Sequence, residues 1–123
     1  VIIYMASTVQ EYNFNAYQGA EVNVTLTLTE SDGSATDLTG YAVRGIVKYR
    51  YGDLSPLLDL IPSISDPATN GVISISIPAM PTSHLPVGQF VYDIEKYPTN
   101  NVEAVSKVVK GFFNVHPEVT TTT

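Results

Sequence analysis

The residues of this chain that could do metal or nucleophilic chemistry are few and scattered. The two histidines, His84 and His116, each lie close to a proline in a predicted loop or tail. A metal site normally needs three or four converging ligands at a recognised spacing, and neither histidine has such neighbours. Both are therefore predicted to be solvent-exposed. Serines are frequent, but none lies in a G-x-S-x-G motif, so the sequence does not predict nucleophilic catalysis.

Acidic side chains suggest two further kinds of chemistry. Asp93 and Glu95 lie two apart on a predicted strand and share a face, as the paired carboxylates of a glycosidase do. The adjacent Lys96 favours a solvated strand surface instead. Asp32, Asp37 and Asp53 lie near turns and could offer oxygen ligands to calcium, but the loop spacing of an EF-hand is absent. The sequence thus predicts no catalytic residue, no metal site and no cofactor.

The elements that carry these residues are predicted to be β-strands. The segment VNVTLTLT at 22–29 alternates apolar and polar residues, which places hydroxyls on one face of a sheet and apolar side chains on the other. The segment 79–87 has room for one short helical turn at most, because Pro86 would lie inside a longer helix. Six further segments are predicted to be strands: 11–17, 41–51, 57–65, 73–77, 88–97 and 102–115.

Seven such segments joined by turns predict an all-β fold, an immunoglobulin-like β-sandwich of about seven strands, with a small β-barrel as the alternative. The chain has no cysteine, so packing alone must hold the core. Gly45 is predicted to mark a bulge or a close approach of another backbone. The predicted core consists of Val24, Leu26, Val43, Val47, Ile73, Ile75, Phe90, Tyr92, Ile94 and Phe113, and Phe112 is expected to add further bulk.

Length and charge restrict the possible partners. A chain of 123 residues is near the commonest domain size, so one sandwich at 11–116 is predicted, with an N-terminal arm at 1–10 and a C-terminal tail at 117–123. Met5 resembles a translation start, and residues 1–4 are given no role in the fold. The net charge of −6 disfavours nucleic acid. No apolar stretch approaches the length needed to cross a bilayer, so no membrane partner is predicted.

Three short motifs carry a resemblance to a known family. They are Asp32-Gly33, the segment DLTGY at 37–41, and the late pattern G-x-F-x-Y-D-I at 88–94. In this order they resemble the immunoglobulin-like domains of tailed-bacteriophage virion proteins, and in particular the N-terminal domain of baseplate upper proteins and related tail proteins. The resemblance covers most of the chain, from about Tyr12 to Val115.

This resemblance implies a non-enzymatic structural protein located in the virion, associated with the tail or baseplate. Its expected partners are other virion proteins and further copies of itself in a symmetric assembly, with no small-molecule substrate. A capsid or neck decoration protein and a carbohydrate-binding module remain alternatives. Partner contacts are expected in the N-terminal arm, in the proline-rich loop and in the tail, with five residues as candidates: Tyr4, Tyr12, His84, Tyr97 and Thr120.

Overall fold

The structure, a computed structural model, describes residues 1–5 and 9–119 and consists mainly of β-strands. Its strands are β1 Ile2–Tyr4, β2 Gln10–Glu11, β3 Phe14–Tyr17, β4 Val22–Thr29, β5 Tyr41–Lys48, β6 Leu58–Asp59, β7 Ser63–Ile64, β8 Val72–Ile77, β9 Gly88–Pro98 and β10 Ser106–His116. A 3₁₀ turn, Ala68–Asn70, precedes β8, and the short helix α1, Ala79–Ser83, follows it. The expected single helical turn at 79–87 is confirmed. Among the described residues, no helix is long and apolar enough to cross a membrane.

The strands form two sheets that pack as a sandwich. Sheet 1 has the order β1-β4-β8-β7, and sheet 2 has the order β2-β10-β9-β5-β6, with β3 also pairing with β10. The N-terminal strands pair in parallel, β1 with β4 and both β2 and β3 with β10, whereas the other pairs are antiparallel. The all-β sandwich is confirmed, and the described residues do not form the alternative closed barrel.

The core lies between the two sheets and follows the alternation of the sequence. In sheet 1, Leu26 pairs with Ile73, and both are fully buried. In sheet 2, Phe113 is fully buried and stacks on Phe14 of β3, with 5.6 Å between ring centroids. Eight of the ten predicted core residues are buried, and Val24 and Val43 are half-buried against the same cluster.

Two predictions about side-chain placement have different outcomes. Phe112 is 40% exposed, so its expected contribution to the core is wrong. Neighbouring residues of a strand point to opposite faces, and Phe113 takes the inward position. Gly45 does mark a close approach of backbone, because a Cβ there would lie 2.9 Å from the carbonyl oxygen of Asp93.

Strand number and strand boundaries also needed correction. The described residues contain ten strands rather than about seven, since the predicted strand at 11–17 is interrupted and the segment 57–65 splits into β6 and β7. Residues 2–4 form β1, and Ile3 is 2% exposed, so the expectation that residues 1–4 have no role is wrong. The last strand begins at Ser106 rather than at 102 and includes His116, which is therefore not a loop residue.

Candidate protein-docking site

Four of the five predicted partner contacts lie in the described part of the chain, and the fold does not bring them together. Tyr4 is 49% exposed at the end of β1, and Tyr97 is half-buried near the end of β9. His84 is exposed directly after α1, where its Nδ1 lies 2.9 Å from the carbonyl oxygen of Met80. Thr120, with the rest of segment 120–123, lies outside the described residues.

Strand pairing shows how far apart these residues are. Tyr4 pairs with Thr29, the last residue of β4, whereas α1 follows Ile77, which pairs with Val22 at the start of β4. Eight strand residues at about 3.3 Å each separate the two ends by roughly 23 Å. Tyr4 and His84 therefore lie near opposite ends of the sandwich and cannot belong to one small contact site.

Tyr12 has a structural role where the N-terminal segment runs in parallel beside β10. It lies in the break between β2 and β3, and its carbonyl oxygen accepts a hydrogen bond from the buried hydroxyl of Tyr92. Burial raises the pKa of the Tyr92 hydroxyl far above its usual value. Next to it, the amide of Phe112 donates to Asn13 Oδ1 at 2.9 Å. Gly111 allows the backbone at Tyr12 to approach β10 this closely, because a Cβ there would overlap the Tyr12 carbonyl oxygen.

The outer side of sheet 2 carries an ion-pair network, which we call the charged face: Arg44, Asp93, Glu95 and Lys107. Lys107 Nζ lies 2.9 Å from Asp93 Oδ2 and 2.5 Å from Glu95 Oε2, and Arg44 pairs with the other oxygen of Glu95. Asp93 and Glu95 thus share a face, as predicted. Each carboxylate has a cationic partner, and the four charges cancel.

The pKa values in this network argue against acid catalysis. Burial would raise the pKa of Glu95, but hydrogen bonds from Lys107 and Arg44 outweigh it, and the pKa lies below its usual value. Burial would likewise lower the pKa of Lys107, yet hydrogen bonds to Glu95 and Asp93 raise it. A glycosidase general acid needs a raised pKa. The paired carboxylates therefore act as a stabilising surface network.

The acidic turns have a local structural role. Asp32 Oδ1 accepts hydrogen bonds from the amide and the hydroxyl of Ser34, and Asp37 Oδ1 accepts one from the amide of Thr39. The side chain and amide of Ser34 lower the pKa of Asp32, and the side chain and amide of Thr39 lower the pKa of Asp37. Within residues 1–5 and 9–119, no three His, Asp or Glu side chains converge in a way that could hold a metal ion.

The outer side of sheet 1 is chemically different, and we call it the hydroxyl face. It consists of paired polar residues from β4 and β8: Asn23 with Ser76 and Thr25 with Ser74, with Thr27 next to them. Thr27 pairs in turn with Ile2 of β1, whose apolar side chain is exposed beside this face. The Ser76 hydroxyl donates to Asn23 Oδ1 at 2.8 Å. None of the residues in β1, β4, β7 and β8 is charged. The alternating threonines predicted this face, but its lack of charge was not noted from the sequence.

A third surface lies at the other end of sheet 2 from the charged face, and sequence reasoning missed it. This amide–aromatic patch consists of Asn15, Tyr17, Gln89, Phe112, Asn114 and His116. The ring of Tyr17 stacks on His116 with 4.9 Å between centroids, and Gln89 Nε2 donates to Asn114 Oδ1 at 3.2 Å. The sequence feature that indicates this patch is the two-residue spacing of Phe112, Asn114 and His116 on one face of β10. The predicted strand end at 115 left His116 out of this pattern.

Comparison with known proteins adds one informative match. No protein-family profile and no curated protein sequence matches the chain. The N-terminal domain of ORF48 from phage TP901-1 superposes with a TM-score of 0.58 over 93% of both chains, at 9% sequence identity. The chain has the fold of this phage domain. A family 123 glycoside hydrolase from Clostridium perfringens also aligns, with a TM-score of 0.37 and 16% identity, over 89% of this chain and 23% of the enzyme.

Proposed function

We propose that this chain is a non-enzymatic structural protein of a bacteriophage virion, associated with the tail or baseplate. In this role it docks to other virion proteins and repeats in a symmetric assembly. The observation that carries the proposal is the fold shared with a phage protein domain over 93% of both chains. The motifs at Asp32-Gly33, 37–41 and 88–94 support it independently.

The immunoglobulin-like assignment is part of this proposal. The orders β4-β8-β7 and β10-β9-β5 match the B-E-D and G-F-C orders of immunoglobulin sandwiches. In such folds the two sheets form a rigid scaffold, and faces, edges and loops are left for contacts. The well-formed core and the matched ion pairs of the charged face are consistent with a rigid connecting domain rather than with an active site.

The test is cross-linking mass spectrometry on phage particles purified from cultures that express this chain. We expect cross-links from its lysines to other virion proteins. Variants then locate the contact: Tyr4→Ser should lower occupancy on the particle if the β1 edge docks. Tyr51→Ser, at another exposed tyrosine, is the matched control. Deletion of 1–10 is a poorer test, because it would remove the buried Ile3. Absence of the chain from purified particles would refute the proposal.

A carbohydrate-binding module is the second candidate, because the amide–aromatic patch offers suitable chemistry. Tyr17 is 56% exposed and Phe112 is 40% exposed, and the amides of Asn15, Gln89 and Asn114 lie beside them. Aromatic rings stack on sugar rings, and amides pair with hydroxyls. A glycan array separates the two candidates: specific binding that Tyr17→Ala abolishes would favour the carbohydrate-binding module.

A further inference from the structure

We propose that the hydroxyl face of sheet 1 is the surface through which one copy of this chain contacts a second copy. This inference deepens the proposed function, on which it rests only in placing the chain in a repeating assembly. The face is formed by Asn23, Thr25, Thr27, Ser74 and Ser76, and three of these, Asn23, Thr25 and Ser76, are exposed.

The distribution of charge is the first argument. The chain has a net charge of −6, so two copies repel each other over most orientations. The strands of sheet 1 carry no charge, whereas those of sheet 2 carry five of the six basic residues. Two copies that meet through sheet 1 place uncharged surfaces in contact and leave every strand charge in solvent. The hydroxyl face is therefore free of the strand charges that oppose self-association through the charged face of sheet 2.

The chemistry of the hydroxyl groups is the second argument. In a contact with twofold symmetry, a surface meets its own copy, so each group must be complementary to its own kind. A lysine or a carboxylate fails this condition because like charges repel. A serine or threonine hydroxyl meets it, because it both donates and accepts hydrogen bonds. The 2.7 Å bond between the hydroxyls of Ser65 and Ser74 shows this pairing within one copy.

The size of the face sets the strength of the contact. The four strands of sheet 1 hold 19 residues, 3 in β1, 8 in β4, 2 in β7 and 6 in β8, which at about 3.3 Å per residue and about 4.8 Å between strands cover roughly 300 Å². Stable interfaces bury about 800 Å² per partner. The contact is thus too small to hold a tight dimer. A contact of this size can form between neighbouring copies in an assembly, where other contacts raise the local concentration of the second copy.

Single-cysteine cross-linking can detect such a weak contact, because the chain has no cysteine of its own. Thr25→Cys places a thiol on the hydroxyl face, and two control variants place it at other exposed positions: Ser55→Cys in the β5–β6 loop and Ser106→Cys on sheet 2. Each purified variant is treated with a short bis-maleimide at millimolar protein, and covalent dimer is quantified over time. We expect dimer from Thr25→Cys to form at least tenfold faster than from either control.

A charge placed on the face tests the same contact by electrostatic repulsion, with the Thr25→Cys thiol kept unchanged. In the Thr25→Cys background, Ser74→Lys should reduce the cross-linking rate at least fivefold. Ser106→Lys, at an exposed position on sheet 2, changes the net charge equally and should leave the rate unchanged. Circular dichroism checks that each variant folds, and Ser76→Lys replaces any Ser74 variant that does not.

Equal dimer formation at all three cysteine positions would overturn the proposal, and so would a rate insensitive to Ser74→Lys. The same Thr25→Cys variant can be cross-linked in assembled particles, where products with a different virion protein and no copy-to-copy product would overturn the proposal in favour of another occupant. None of these failures touches the virion role, because each concerns only which surface is in contact. That role fails only if the chain is absent from particles.

Discussion

Replacing Gly111 by alanine tests how the N-terminal segment is held against sheet 2. Gly111 lies on β10 beside the break between β2 and β3, which both pair with β10 in one parallel register. An added Cβ would overlap the carbonyl oxygen of Tyr12 and lie 2.9 Å from Asn13 Oδ1. The Tyr12 oxygen is a backbone atom, and Asn13 Oδ1 is a side-chain atom held by the hydrogen bond that it accepts from the Phe112 amide. The segment must therefore move away from β10.

The magnitude follows from what that movement breaks. Overpacking a tight site costs about 1–3 kcal/mol. Two hydrogen bonds are also weakened, from the Tyr92 hydroxyl to Tyr12 and from the Phe112 amide to Asn13, and each contributes about 1 kcal/mol. Overpacking and the weakened hydrogen bonds add, so we expect Gly111→Ala to lower the free energy of unfolding by about 2–5 kcal/mol.

Urea denaturation of the two variants Gly111→Ala and Gly52→Ala measures this effect. Gly52 is the matched control, since a Cβ there meets nothing within 4 Å, and its substitution should change stability by about 0.5 kcal/mol or less. Hydrogen exchange at the Phe112 amide should accelerate in Gly111→Ala alone. If Gly111→Ala is as stable as the control, the segment around Tyr12 packs less tightly against β10 than described and the reasoning is wrong.

Three further predictions concern the core, the charged face and metal dependence. Ile75→Ala should destabilise the protein by about 2–5 kcal/mol in urea denaturation because Ile75 is buried, and a neutral effect would mean that the register of β8 is wrong. The lowered pKa of Glu95 stabilises the fold above its usual value of 4.5, and this contribution should be lost as the pH falls below that value. It should amount to less than about 1 kcal/mol because the pair is near the surface, and Glu95→Gln should remove this part of the pH dependence of the thermal midpoint. Treatment with EDTA should leave that midpoint unchanged, and a large drop would revive calcium binding at Asp32 and Asp37.

The strands that could be predicted are those with a complete local pattern. β4 was predicted with its observed bounds, because VNVTLTLT alternates without interruption and one face must be buried. β8 and β9 were predicted to within one residue at each end for the same reason. Their register across the sheet then fixed most of the core, including Leu26 and Ile94.

The N-terminal segment could not be predicted because its pairing is long-range. Three residues of β1 carry too little pattern, and Ile3 is buried only because β4 lies beside it in parallel. The break at Tyr12 depends on Gly111, about a hundred residues away, which allows the backbones to approach. The distance between the predicted contact residues could not be predicted either, because it also depends on long-range pairing. His84 and Tyr4 are placed at opposite ends of the sandwich only once the strands are paired.

Electron microscopy of intact phage particles from cultures that express this chain is the most direct test of the proposed virion role. We predict density for the two-sheet sandwich in repeated, symmetry-related positions on the tail or baseplate, in contact with other virion proteins. Purified, infectious particles with no density or mass-spectrometric signal for this chain would contradict the account.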